Sequence, residues 1–89
     1  MTNENDVEKY LTLVVNKIKA ERKSRNISQL KLAHILGHTS PNYIAKIETR
    51  AKGANYNLKH LFIISIAFSI PIQDLLPPFY IKGSDNGNT

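Results

Sequence analysis

Few side chains in this sequence of 89 residues are suited to covalent chemistry. There is no cysteine, hence no thiolate nucleophile, no disulfide framework and no thiolate metal site. The three histidines, His34, His38 and His60, lack metal-ligand spacing with a fourth donor and read as surface or joint residues. The sequence offers no Ser-His-acid set and no glycine-rich phosphate cradle, and its acids are too scattered for general acid–base work. The expectation is no enzyme, no catalytic residue, no cofactor and no metal. What remains is charge. Between Lys9 and His60 stand eleven Lys or Arg against two acids, Glu21 and Glu48, and the other acids sit at the two ends. A basic middle with acidic ends is the pattern of a polyanion-binding face.

The elements that must position this charge follow from periodicity and caps. The length allows one small domain, and a hydrophobic share of 42% is enough for a modest core. Asp6 is a candidate cap, and Val7, Leu11, Val14, Val15 and Ile18 follow with the period of an amphipathic helix. Lys17, Lys19, Arg22, Lys23 and Arg25 lie in its last turns, where cations complement the helix dipole, and Asn26 suits a left-handed terminator. Ser28 reads as the cap of a short helix that buries Leu32, Ala33 and Leu36 and stops at Gly37. Ser40 caps the next, with Pro41 at its first position and Tyr43, Ile44 and Ile47 inward. Asn57 caps a fourth helix with a core stripe of Leu58, Leu61, Ile64, Ser65 and Phe68. The polar, acidic start MTNENDVEKY is unlike a signal segment, and the apolar run from Leu61 to Ile72 is broken and too short for a bilayer. A cytoplasmic protein with no membrane contact is expected.

Ser28-Gln29, Leu32-Ala33, Leu36-Gly37, Tyr43-Ile44 and Lys46-Ile47-Glu48, in that order, resemble the helix-turn-helix of the phage-repressor/Cro-type (Xre) DNA-binding family. The resemblance reaches upstream to Ile18 and Arg22 and downstream through Ile64 to Leu76, covering about residues 15–77. It departs from the family in a turn one residue longer, with His38 and Thr39 at the joint, and in Leu30 and Lys31 where acids are common.

The resemblance implies an all-α, five-helix repressor-like domain with a central helix-turn-helix. The expected organisation is a flexible N-terminus at 1–5, the DNA-binding domain at 6–78 and a partly disordered tail at 79–89. It implies sequence-specific binding of double-stranded DNA by a small transcriptional repressor or regulator, with helix 40–48 in the major groove. Base reading then falls to Pro41, Asn42 and Lys46, with Ser40 nearest the backbone: Asn42 suits adenine N6 and N7, and Lys46 suits guanine or a phosphate. Phosphate contact falls to Lys19, Lys23, Gln29, Tyr43, Thr49, Arg50, Lys52 and Asn55. Arg22 and Glu48 match the family's internal ion pair.

Phe62, Ile63 and Ile66 fall on the flank of the fourth helix. Either the segment from Pro77 to Ile81 or the first helix covers them, or they form a face for a second copy or a protein partner, with Phe79 and Tyr80 beside them. The family implies a homodimer, at least on DNA. The alternative reading is an antitoxin-like protein whose partner docks on this flank and the tail.

Overall fold

The Asn3 side chain accepts the Asp6 backbone N–H at 2.9 Å and starts α1, Glu4–Ser24. Asn3 is thus the cap, and Asp6 instead lies in the first turn, where it and Glu4 meet the positive end of the dipole. The helix accordingly begins within the segment expected to be flexible. In the computed structural model, which describes residues 3–79, there follow α2 (Gln29–Ile35), α3 (Pro41–Glu48) and α4 (Leu58–Phe68). Short 3-10 turns occupy Ala51–Gly53 and Ile72–Leu75. Tyr80 and the remainder of the tail lie outside the described residues.

Among the described residues the fold is all-α with four α-helices, and where a fifth was expected they hold the 3-10 turn Ile72–Leu75. Proline explains the difference. Pro77 disfavours helical geometry at Leu76, and neither Pro77 nor Pro78 has an N–H to continue a ladder, so the segment ends after one turn. Leu75 from this turn is nonetheless fully buried.

One core joins all four helices. Val14, Val15 and Ile18 of α1 meet Leu32, Ala33 and Leu36, Ile44 and Ile47 of α3, and Tyr56, Leu61, Ile64 and Phe68. Ala33 is wholly buried in the α2 face, and its small side chain lets the crossing helix come close. Leu58 is not part of this core. It is 72% exposed, because as the first residue of α4 it stands beyond the edge its stripe packs against.

The joint between α2 and α3 is built from local signals. Ser28 accepts from the Lys31 N–H at 3.0 Å, and Ser40 accepts from the Asn42 N–H at 3.1 Å. Gly37 N–H reaches His34 O at 3.0 Å and His38 N–H reaches Ala33 O at 2.8 Å. These paired bonds close the end of α2 in a Schellman motif, and they put Gly37 at φ +85°, where a Cβ would be strained. Asn26 at φ 56° ends α1 the same way, with Ile27 N–H to Arg22 O at 3.1 Å.

Candidate nucleic-acid interface

Helix α3 has two faces with different tasks. Ile44, Ile47 and Glu48 are buried, while Pro41, Asn42 and Lys46 are exposed. Asn42 and Lys46 are one turn apart and therefore neighbours on one face. With His38, Thr39, Ser40 and Tyr43 they line a shallow open cleft at the start of the helix. The Ser40 oxygen is used as the cap, which leaves its O–H available as a donor. His38 and Thr39 were read from sequence only as turn residues, and their place in this cleft depends on the path of the longer turn.

The buried end of α3 is fixed by charge. Arg22 Nε donates to Glu48 Oε2 at 2.8 Å and Nη2 to Glu48 Oε1 at 3.0 Å, while Nη1 donates to Ile27 O at 2.7 Å. The two side chains are 8% and 2% exposed, so the bidentate pair is desolvated and shaped to one geometry. Gln29 Nε2 donates to the same Glu48 Oε1 at 2.9 Å. Gln29, expected at a phosphate, thus has its amide turned inward onto Glu48. The resemblance matched its position but could not give the rotamer.

Tyr56 lies beside this network. Its hydroxyl is the one buried side-chain polar atom without a hydrogen-bond partner among the described residues. Burial, and then the negative charge of Glu48, push its ionisation up, so the phenol stays protonated.

Several expected phosphate contacts have internal partners. Arg50 is the clearest case. Its guanidinium bonds Glu8 Oε1 at 2.7 Å, Thr12 Oγ1 at 3.0 Å and the carbonyls of Glu8, Gly53 and Ala54. It is a latch between the loop after α3 and the first turns of α1, and its charge faces Glu8. These bonds also hold Arg50 at φ 56°, a left-handed conformation that a non-glycine residue adopts at a cost. Replacing Arg50 by Ala is expected to lower stability by about 1 kcal/mol, since the Glu8 end of the pair is half exposed. Thermal melting checks this; an unchanged melting temperature would show that the latch is slack.

Thr49 is exposed, and its hydroxyl donates to the carbonyls of Ala45 and Lys46, which leaves it without a proton for a phosphate in this rotamer. Asn55 donates to Gly53 O, and Tyr43 shares its hydroxyl with His60 Nε2 at 3.2 Å. Lys17 and Arg25 both pair with Glu21, and these hydrogen bonds hold its carboxyl below the usual range. Lys19, Lys23, Lys46 and Lys52 make no ion pair among the described residues. Lys52 is exposed in the 3-10 turn, and Lys23 is exposed on the last turn of α1. Among the expected contacts, these four lysines carry positive charge that no acid pairs with among the described residues.

The apolar flank of α4 divides. Ile63 packs against the core, whereas Phe62 and Ile66 are 58% and 66% exposed. Phe79 does not cover them; its ring meets Tyr10 of α1 edge-on at 5.8 Å between centroids. Tyr80 lies outside the described residues. No helix among those residues is long and apolar enough to cross a membrane.

Two short capped helices crossing over a shared core, the second with a polar outer face and unpaired lysines beside it, define a helix-turn-helix DNA-binding domain. A helix-turn-helix family model matches residues 18–75. That is more than half of the chain, and the chain belongs to this family, in its Xre/Cro-like form, as a DNA-binding regulator. Comparison with curated proteins and with solved structures gave no match.

Proposed function

We propose that the chain binds double-stranded DNA in a sequence-specific manner, as a small transcriptional repressor or regulator with α3 in the major groove. The observation that carries this reading is the pairing of exposed Asn42 and Lys46 on one face with the Arg22–Glu48–Gln29 lock on the other. A reading helix discriminates only if its tilt is fixed, because base contacts depend on donor and acceptor positions. Asn42 offers an amide for adenine N6 and N7, Lys46 reaches guanine O6 or N7, and Pro41 makes apolar contact. Ser40 stands nearest the backbone. Lys19, Lys23 and Lys52 supply phosphate contacts that fix register without reading sequence.

The exposed pair Phe62 and Ile66 favours a homodimer on DNA, which would present two copies of α3 to half-sites roughly 34 Å apart. The same exposure favours, as the second reading, a protein partner on this flank, as in an antitoxin. Selection from a random duplex pool, with oligomer mass measured in parallel, tests both. The expected result is an enriched site of two inverted half-sites and a dimer mass on it. An unenriched pool, with a heterologous protein bound through Phe62 and Ile66, would favour the second reading.

Lys52→Ala is expected to weaken binding to all duplexes alike. It should also reduce the dependence of log affinity on log salt by about 0.9, the share of one phosphate contact. A salt titration of the variant checks this, and an unchanged slope would remove Lys52 from the interface.

A further inference from the structure

His60 is the third residue of α4, and both of its ring nitrogens have partners. Nδ1 accepts the Asn57 N–H at 3.2 Å, while the His60 N–H donates to Asn57 Oδ1 at 2.8 Å. This is a reciprocal capping box in which histidine takes the place usual for Glu or Gln. Nε2 lies 3.2 Å from the Tyr43 hydroxyl of α3. A nitrogen that accepts carries no proton, so the neutral ring bears its proton on Nε2 and donates it to Tyr43. Tyr43 in turn lies flat on His38, with centroids 3.6 Å apart and planes 14° from parallel. The contacts run from the cap of α4, through α3, to the lengthened turn in front of it.

We infer that neutral His60 is a positioning residue for α3: it holds Tyr43 from the α4 cap and so sets the seat of the reading helix, and a proton on Nδ1 releases that seat. The inference rests on α3 being the DNA-reading helix. A protonated Nδ1 would face the Asn57 N–H donor to donor, and an imidazolium in the first turn of a helix opposes the dipole. The ring must then leave the cap, and Tyr43 loses its fixed neighbour.

The groups facing His60 make the neutral form the resident one. They are His38 in the turn at 6.4 Å, Tyr43 of α3 at 5.9 Å, Tyr56 in the preceding loop at 6.1 Å, and Lys59 beside it on α4. None is a carboxylate. Burial first, then His38 and Lys59, hold the ring below the ordinary histidine value. The unfolded chain therefore takes up the proton first. The stabilisation from the neutral ring is complete above about pH 6.5 and is lost as pH falls through the lower folded-state value.

The test uses the full chain, with melting and duplex affinity measured in steps from about pH 7.5 downward, so that the folded-state titration of His60, below the ordinary histidine pKa of about 6.5, is crossed. His60→Gln keeps an acceptor and a donor but cannot titrate; His60→Leu removes both. The readout is the preference for a selected duplex over a random one, a ratio in which sequence-independent charge effects cancel. Near pH 7.5, His60→Gln should keep the parent's preference within about twofold, and His60→Leu should lose about fivefold, the size of one lost cap. As pH falls through the folded-state value of His60, the parent should lose about fivefold of its preference, and His60→Gln should not. The inference is overturned if His60→Gln follows the parent's pH profile, or if His60→Leu keeps full preference at neutral pH. A melting profile that falls with pH in the parent alone, with no duplex preferred at any pH, would support the bridge and overturn the DNA-reading role of α3 instead.

Discussion

Glu48→Gln should unfold this domain more readily than any single loop substitution. Glu48 accepts two bonds from Arg22 and one from Gln29, and its side chain is 2% exposed. Glutamine fills the same space but carries no charge, and its NH2 would point at donors. The Arg22 guanidinium, 8% exposed, would remain charged and without its counter-ion. Removing one partner of a buried pair costs about 3–5 kcal/mol, largely the penalty of the stranded charge. A domain of this size holds about 5–15 kcal/mol in total and shifts by roughly 4–8 °C per kcal/mol. The melting temperature should therefore fall by more than about 12 °C. Lys52→Ala, at an exposed position, should stay within about 0.5 kcal/mol of the parent. Equal, small shifts in the two variants would refute the lock.

Asn42→Ala should have the opposite profile, with little effect on folding and a large one on discrimination. Its side chain is exposed, and only its backbone N–H takes part in the cap, which alanine retains. Losing a bidentate amide contact should cost about 1–3 kcal/mol on the preferred site, with random duplexes bound as before. Competition between the two duplexes measures this directly. Since Glu48→Gln acts on the seat of α3 and Asn42→Ala on its outer face, the two variants separate the mounting of the helix from its contacts.

The helix-turn-helix was legible because its signals are local. Ser28, Gly37, Ser40 and Pro41 each solve a backbone problem within four residues of themselves, and the apolar spacing of Leu32, Leu36, Ile44 and Ile47 gives the inward faces. The Arg22–Glu48 match, by contrast, came from the family pattern, since residues 26 apart in sequence give no local signal. Arg50 shows the limit. A basic residue in a loop beside a reading helix reads as a phosphate contact, but its partners Glu8 and Thr12 lie 42 and 38 residues back, in turns of α1 that precede the family match. Leu58 fits the period of α4 yet lies outside the core, because periodicity does not tell where a helix leaves its neighbours. The cap of α1 shows the same limit: Asp6 is a residue type that caps as well as Asn3 does, and only the geometry identifies Asn3. His60 could have been found, since Asn57-x-x-His60 has capping-box spacing, although with an unusual third residue.

The central claim is that α3 reads base sequence while the surrounding lysines hold the backbone. The most direct measurement is the affinity of the parent, Asn42→Ala and Lys52→Ala for a selected and a random duplex across a salt series. The expected result is a loss confined to the selected duplex for Asn42→Ala, at unchanged salt slope. Lys52→Ala should instead lose affinity on both duplexes, with a slope shallower by about 0.9. An Asn42→Ala variant that weakened both duplexes equally would contradict base reading by α3.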